Sequence, residues 1–587
     1  MKRTHTCGDL RKENIGNTVT LSGWVNTRRD HGGLIFIDLR DRYGLSQVVF
    51  EPTHSKKIFS EAENLRREDV IEVTGKVRSR PEGMINPKLP TGDVEVLIDE
   101  LEVLSKADTP PIEIDDRKVA NEELRLKYRY LDLRRPEMQK NLLTRHKVAQ
   151  AAREFLSSQD FIEVETPILV RSTPEGARDY VVPSRVHPGE AYALPQSPQL
   201  YKQILMVSGC DRYFQLARCL RDEDLRADRQ PEHTQIDLEM SFVEERDVQE
   251  VVEGLMKHVL KKVKNLNIQT PFEILSFDES MDRFGTDKPD LRFGLELTDI
   301  SEIAGKSDFS VFKDVIKKGG IVKCINPESD FSRKELDDLI EFSKSLGAKG
   351  MAWARITKDG LESSITKYLS SEIQKEILKK TKAKKGVLLF IADKPKVTNT
   401  VLAGLRNELG KRLDLIDQSA FRFCWVVDFP LFGWNDEDER WEPAHHMFTM
   451  PKKEHMEFLE KDPSKVKASL YDLVLNGTEL CSGSIRIHRE DIQEKVMKVI
   501  GLSKKDAYKK FGFLLEAFKY GAPPHGGVGI GLDRLTAILI GTNDIREVIA
   551  FPKNKAAQCP MDGSPSLLDE KVSKEVHIKF ELPKKKK

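Results

Sequence analysis

Two segments, RYFQLARCLRDED (residues 212–224) and PEHTQIDLEM (residues 231–240), alternate apolar and polar side chains with a period of two. That period belongs to a strand with one face on a core. In the first segment Phe214, Leu216 and Leu220 share one face, and Gln215, Arg221 and Glu223 the other. In the second, Ile236, Leu238 and Met240 oppose Gln235, Asp237 and Glu239. The match predicts an antiparallel hairpin, joined by a loop carrying Arg226, Arg229, Gln230 and His233. A wall of arginine, carboxylate and amide groups points to a polar ligand bearing both charges, unless the groups satisfy one another as a salt-bridge ladder.

Around this hairpin the chain divides by pattern. Residues 1 to about 105 hold five strand-like segments, VTLSGWV, LIFIDLRD, SQVVF, DVIEVTGKVRS and DVEVLIDELEVL, which predict a small β-barrel of the oligonucleotide-binding (OB) type. Up to residue 50 there are eight Lys/Arg against five Asp/Glu, with Arg28 and Arg29 before a Gly-Gly turn and Phe36 after it. Basic groups beside an aromatic suit a single-stranded nucleic acid. The alternative makes Phe36 a core residue and the arginines a solvated edge. TPPIEIDD (residues 109–116) reads as a connector. After it, LLTRHKVAQAAREFLSSQ has helical spacing and feeds FIEVETPILV, a strand interrupted by Pro167. Residues from about 290 to 420 alternate helical and strand-like segments with few clustered motifs, as expected of an inserted accessory domain.

Lys plus Arg and Asp plus Glu number 95 each, so nucleic-acid binding must come from local patches rather than overall charge. The terminal PKKKK reads as a solvated basic tail. No run of some twenty apolar residues is present and MKRTHTCGDL lacks a signal-peptide core, which makes the cytoplasm the expected compartment. The seven cysteines are scattered without a C-x-x-C pair, suggesting neither a zinc site nor a disulfide framework.

Two further stretches bear chemistry. HGGVGIGLDRLTAILIG (residues 525–541) sets glycines before a predicted helix with Arg534 in its first turn, an arrangement that favours phosphate. It is neither a P-loop nor a dinucleotide turn. In TELCSGSIRIH (residues 478–488) small residues separate Glu479 from Arg486; a carboxylate there suits Mg²⁺, with Asp472 as a helper.

Taken in order, FIEVETPILV, the arginine-bearing hairpin and GVGIGLDRL resemble the three signature motifs of class II aminoacyl-tRNA synthetases. TPEGARDY, LPQSPQLYKQ, HHMFT and SIRIH resemble the aspartyl branch of bacterial type. The resemblance covers nearly the whole chain and implies an α/β multidomain fold: an OB-type anticodon-binding barrel (1–107), a hinge (108–140), an antiparallel-sheet catalytic domain in two parts (141–288 and 421–555), an inserted GAD-type α/β domain (289–420) and a C-terminal extension with a basic tail (556–587). It implies ATP-dependent joining of L-aspartate to tRNA through an aspartyl-adenylate, in a homodimer.

Site roles follow from the same resemblance. Arg221, Arg534 and Glu479 are the expected catalytic groups. Glu175, Gln199, Lys202, Arg221, Asp237, His445 and Arg486 are expected to bind aspartate, with Lys202 and Arg486 on the side-chain carboxylate and Asp237 orienting both. Arg221, Asp222, Glu223, Gln230, His233, Glu479, Gly531, Leu532, Asp533 and Arg534 are expected around ATP, and Glu479 with Asp472 around Mg²⁺. Arg28, Arg29, His31, Phe36, Gln47 and Gly83 are expected at the anticodon. The sequence departs from the family pattern at His233, where Phe is usual, in HHMFT for HHPFT, in ELCSGS for a more glycine-rich run, and at Thr27, where a third arginine is common. His31 in RRDHGG and Gly83 in RPEGMINP resemble the pair in enzymes that charge both tRNA-Asp and tRNA-Asn, whose product on tRNA-Asn needs a separate amidotransferase. The alternative is a strictly discriminating enzyme for tRNA-Asp, with both positions ordinary turn residues. An adenylating paralogue would lack the barrel, a non-catalytic nucleic-acid binder would lack Arg221, Glu479 or Arg534, and lysyl or asparaginyl specificity would lack the Lys202–Arg486 pair.

Overall fold

The structure is a computed structural model that describes residues 2–173 and 177–581. Glu175 and the PKKKK tail lie outside the described residues. The chain forms two compact units: Met1–Thr144 with Leu225–Ala227 and Asp544–Leu567, and Arg145–Asp224 with Asp228–Asn543 and Leu568–Lys587.

The first unit contains a closed five-stranded barrel. Its strand order is Thr18–His31, Leu34–Arg40, Leu45–Phe50, Val94–Ser105 and Val70–Ser79. The alternation seen in the sequence puts Val19, Leu21, Ile35, Ile37, Leu39, Ile71 and Val73 inside. Closure between Leu45–Phe50 and Val94–Ser105 is parallel and short, pairing Val48 with Val96 and Val49 with Leu97. Elsewhere in this unit Asp132 is buried beneath Arg125 (3.0 Å), Arg129 (2.6 Å) and Arg135 (2.8 Å), a knot that satisfies three guanidinium groups around one carboxylate.

The second unit is built on an eight-stranded sheet ordered Glu273–Ser276, Phe423–Val427, Leu470–Leu475, Thr478–Ile485, His525–Gly531, Glu232–Ser241, Arg212–Leu220 and Ile162–Glu163. The six inner strands are antiparallel and the two outermost pairings parallel. One face packs Ile236, Leu238, Trp425, Leu473, Val528 and Ile530 against helical residues including Val148, Leu156, Val252 and Leu255. On the opposite face Leu275, Cys424, Val426 and Val474 bury in a second apolar cluster at one end of the sheet, and the strand Glu232–Ser241 carries Asp237 and Glu239. A second sheet, Thr298–Asp299, Ile321–Ile325, Val387–Asp393, Ala352–Thr357 and Gly360–Glu362, is antiparallel throughout. Alternate residues of Val387–Asp393 bury on its two sides, Leu389 and Ile391 with Leu402 and Leu405, Leu388 and Phe390 with Phe312 and Ile377.

Two local expectations change. The strand-like FIEVETPILV forms a ladder only over Ile162–Glu163, with Val164 N–H still donating to Phe214 O (3.1 Å); beyond it Pro167 can donate nothing, the Thr166 hydroxyl turns to Gln215 Oε1 (2.9 Å), and Val170 makes an isolated bridge to Ala193. The first hairpin strand stops at Leu220, not Glu223: the Arg221 N–H still donates to Pro231 O (2.8 Å), but Asp222 pairs instead with Arg178. Among the described residues no helix is long and apolar enough to cross a membrane.

Candidate active site

The hairpin forms in the expected register, with Gln215 opposite Asp237, Leu216 opposite Ile236 and Tyr213 opposite Glu239. Its polar face is nonetheless buried, and that demands partners. Lys202, from helix Gln199–Val207, places Nζ 3.0 Å from Asp237 Oδ2 and 3.1 Å from Glu239 Oε2. Arg486, just past strand Thr478–Ile485, places Nε 2.9 Å and Nη2 3.2 Å from the two oxygens of Glu239, with Nη1 donating to Ser484 Oγ (2.7 Å) and Nη2 to Gly527 O (3.2 Å). Lys202, Arg486 and Glu239 are 1%, 5% and 0% exposed, so these charges are held by one another and not by water. At Gly527 a Cβ would lie 2.1 Å from the Leu238 carbonyl oxygen and 2.2 Å from Glu239 Oε2, which is why the neighbouring strand carries glycine there.

This corrects one expectation. Asp237 makes its ion pair with Lys202 alone, while Arg486 is held by Glu239. Two residues on, with the same parity, Glu239 is the carboxylate Arg486 reaches. The two carboxylates therefore differ. Burial pushes Asp237 up to about 6 despite Lys202, and its Oδ1 has no partner. Burial also opposes ionisation of Glu239, but Arg486 and Lys202 outweigh it and hold the group down to about 2.

A second cluster lies along the same sheet. Arg534 is in the first turn of helix Leu532–Ile540, capped by Gly531, and donates to Glu479 O (2.7 Å) with Asp228 at 3.5 Å. The Glu479 carboxylate pairs with Lys288 (2.8 Å). Asp472 sits deep beside it, with no hydrogen bond to either carboxylate oxygen; burial and then the Glu479 charge raise it well above the usual range. Burial would raise Glu479 too, but Lys288 and Arg534 bring it below its ordinary value. Two adjacent carboxylates, one with both oxygens orphaned, fit a hard divalent cation whose remaining ligands are phosphate and water. Among the described residues no group of three or more His, Cys, Asp or Glu could hold a metal by itself.

His233 is held down to about 3 by burial and by the charges of Arg221, Arg534 and Arg218, so a neutral ring lies in an arginine-rich pocket. Arg221 Nε reaches Gln196 O at 3.4 Å, Glu223 pairs with Arg229 (3.1 Å), and Gln230 is buried. The ring of His445 packs edge-on against Phe429 at 4.9 Å. Two of the residues expected around ATP are otherwise engaged. The Leu532 side chain is in the core, and Asp533 is spent on the Thr234 N–H (2.8 Å) and Arg145 (2.6 Å), tying a helix, a strand and a second helix together.

On the barrel, Phe36 is half-buried, outside the apolar cluster and opposite Arg29 in the strand register, so it is not a core residue. Arg29 is forked onto Asp38 (2.8 and 2.9 Å) and reaches Gln47 Oε1 (3.3 Å), while Gln47 donates to Glu95 (2.8 Å) and Arg28 pairs with Asp30 (2.9 Å). His31 ends its strand, exposed, and Gly83 turns at φ +83° with open space around it.

Sequence reasoning missed Glu239 as a partner of the cations, and it missed Lys288, Gln203 and His525. Parity marked Glu239; nothing local marked the others.

The sheet, its arginine-bearing hairpin and the glycine-rich strand entering an arginine-bearing helix define a class II aminoacyl-tRNA synthetase. The family profile described as "tRNA synthetases class II (D, K and N)" matches residues 121–555, the chain belongs to that family, and an "OB-fold nucleic acid binding domain" matches residues 19–104. The chain is 54% identical over 585 residues to the "Aspartate--tRNA(Asp/Asn) ligase" of Caldanaerobacter subterraneus subsp. tengcongensis, covering 99% of each, and 52% identical to the protein of the same name from Treponema denticola, covering 98% and 99%. Among solved structures, the asparaginyl-tRNA synthetase of Pyrococcus horikoshii complexed with asparaginyl-adenylate superposes with a TM-score of 0.59 at 20% identity, covering 94% of this chain and 98% of that one.

Proposed function

We propose that this chain joins L-aspartate to tRNA in two ATP-dependent steps and charges both tRNA-Asp and tRNA-Asn. The observation that carries the choice of amino acid is the convergence of two buried cations, Lys202 and Arg486, on one polar patch. An asparagine amide would bring these cations neither the charge nor the second acceptor oxygen of a side-chain carboxylate, at a cost of several kcal/mol. The relatives named for both tRNAs support the wider tRNA range, as do an exposed imidazole at 31 and an unobstructed glycine at 83, which would admit either base.

In the first step the α-carboxylate of aspartate attacks the α-phosphorus of ATP and pyrophosphate leaves. Arg221 stabilises the charge that grows there, Arg534 holds the γ-phosphate, and the neutral His233 ring stacks on the base beside Asp222, Glu223 and Gln230. Gly531, Leu532 and Asp533 serve through the backbone and by fixing the start of the helix. Glu479 and Asp472 would hold Mg²⁺, which when bound neutralises phosphate charge. A carboxylate nucleophile needs no general base, so these residues work by position and electrostatics. Glu175 and Gln199 take the α-ammonium and His445 covers the bound amino acid. In the second step a terminal ribose hydroxyl of tRNA attacks the adenylate carbonyl and AMP departs.

Arg28, Arg29, His31, Phe36, Gln47 and Gly83 would read the anticodon from the barrel (1–107), joined by a hinge (108–140) to catalytic parts 141–288 and 421–555. Residues 289–420 form an inserted accessory domain and 556–587 an extension. Exposed Ile162, Ile168 and Leu169 support a homodimer through the segment after the first long helix. The enzyme would act in the cytoplasm, and Asp-tRNA-Asn would pass to a tRNA-dependent amidotransferase.

The test is aspartylation of tRNA-Asp and tRNA-Asn transcripts side by side at matched concentration. Comparable charging is expected; strong preference for tRNA-Asp would overturn the wider range, and activation of lysine or asparagine over aspartate in pyrophosphate exchange would overturn the assignment itself.

A further inference from the structure

Behind Gln199 runs a line of buried polar groups with no part in the scheme above. Gln199 Nε2 lies 3.0 Å from Gln203 Oε1, Gln203 Nε2 lies 3.2 Å from His525 Nε2, and His525 Nδ1 lies 2.8 Å from Pro523 O. Gln203 and His525 are fully buried. The direction of this line is forced from its far end. The Pro523 carbonyl can only accept, so His525 Nδ1 carries the proton. Burial keeps the imidazole below its ordinary value, offset in part by Glu239, so the ring is neutral and Nε2 is bare. A bare nitrogen needs a donor, which turns the Gln203 amide NH₂ toward His525 and its oxygen toward Gln199. That oxygen in turn takes the Gln199 NH₂, and Gln199 Oε1 is left as the group pointing away, with no hydrogen bond from the described residues.

We propose that Gln203 and His525 are positioning residues that fix the amide of Gln199 with its carbonyl oxygen toward the substrate, making it an acceptor for the α-ammonium of aspartate. The inference rests on the reading of Gln199 as an α-ammonium contact. Reversing the line would present an NH₂ to an ammonium group, donor against donor, so the line works as a polarity filter on one end of the substrate. It leaves untouched the other end, which Lys202 and Arg486 hold.

Because the filter concerns only the ammonium, L-aspartate and succinate, the same dicarboxylate skeleton without the α-amino group, separate it from general damage. Binding of both is measured by calorimetry on the full-length protein, with succinate read by displacement where it is weak. Gln203→Leu is expected to weaken L-aspartate about tenfold, the scale of one charge-assisted hydrogen bond, and to leave succinate within about twofold. Gln203→Glu is expected to keep aspartate within about threefold: a carboxylate still accepts from Gln199, and His525 takes a proton to meet its other oxygen. The imidazole ¹⁵N spectrum of the unaltered protein should show His525 protonated at Nδ1 and bare at Nε2, and protonated at both in Gln203→Glu. Equal losses of aspartate and succinate in Gln203→Leu, an Nε2–H tautomer in the unaltered protein, or loss of aspartate binding in Gln203→Glu would each overturn the proposal. Gln199→Ala separates the two layers. Normal aspartate binding there overturns the Gln199 reading together with the relay, whereas a loss there with none in Gln203→Leu overturns the relay alone.

Discussion

Replacing Glu239 by glutamine tests whether the buried charges are held by one another. Glutamine keeps the shape, so the tight approach of Gly527 is undisturbed. It sets an amide where a carboxylate now lies 3.1 Å from Lys202 Nζ and 2.9 Å from Arg486 Nε. Asp237 alone then faces two buried cations and touches only Lys202. Removing one partner of a buried ion pair costs about 3–5 kcal/mol, because an uncompensated charge remains in the interior. A cooperative unit of roughly 400 residues melts with an entropy near 0.8 kcal/mol per degree, so that loss corresponds to a melting temperature lower by about 4–6 °C.

The same substitution makes the site more positive, so the side-chain carboxylate of aspartate supplies what Glu239 no longer does. The shift on adding saturating aspartate should therefore be larger in Glu239→Gln than in the unaltered protein. Thermal unfolding with and without aspartate, followed by near-ultraviolet circular dichroism, reads both effects. The pH dependence has a definite sign. A carboxylate lowered from 4.5 to about 2 contributes stability that is present above pH 4.5 and lost as pH falls toward 2, so the gap between the two proteins should close over that window. An unchanged melting temperature at neutral pH, or an equal aspartate shift in both, would refute the claim that Glu239 compensates Lys202 and Arg486.

Asp237, raised to about 6, should take up a proton when the aspartate carboxylate binds beside it, so affinity for aspartate rises as pH falls from 7 to 5; calorimetry across that range should show the rise, and Asp237→Asn should flatten it. Arg221→Ala should reduce ATP–pyrophosphate exchange by at least 100-fold while leaving far-ultraviolet circular dichroism unchanged, and surviving exchange would remove Arg221 from the transition state. Lys288→Met, which takes away the ammonium 2.8 Å from Glu479, should lower the Mg²⁺ concentration for half-maximal exchange several-fold, since a competing cation is gone; a higher requirement would show that Lys288 assists the metal. Gly83→Lys with His31→Leu should cut charging of tRNA-Asn more than that of tRNA-Asp, and Gly83→Ala alone should cost about 1 kcal/mol of stability through its left-handed backbone.

What could be read from the chain was whatever has a local period. The barrel strands, the hairpin register and the helix that starts at Leu532 follow from spacing of two or 3.6, or from glycines before an apolar run. The length of the strand in FIEVETPILV could not be read so, because a ladder needs a continuous partner: Ile162 and Glu163 find one along Tyr213–Phe214, and Val170 meets only an isolated bridge to Ala193. The site shows the same division more sharply. Asp237 and Glu239 stand two residues apart on one strand, on one face, with nothing in their neighbourhood along the chain to rank them. Their chemistry is set by what arrives from elsewhere: one lysine reaches Asp237, whereas that lysine and an arginine 247 positions away both reach Glu239. Burial acts on both, but Arg486 bonded directly to Glu239 holds that group down to about 2, and the Glu239 charge in turn helps burial push Asp237 up to about 6. Parity fixes which groups share a surface, but only tertiary contact fixes which of them stays ionised, and in a buried site that second choice decides which group meets the substrate as a charge.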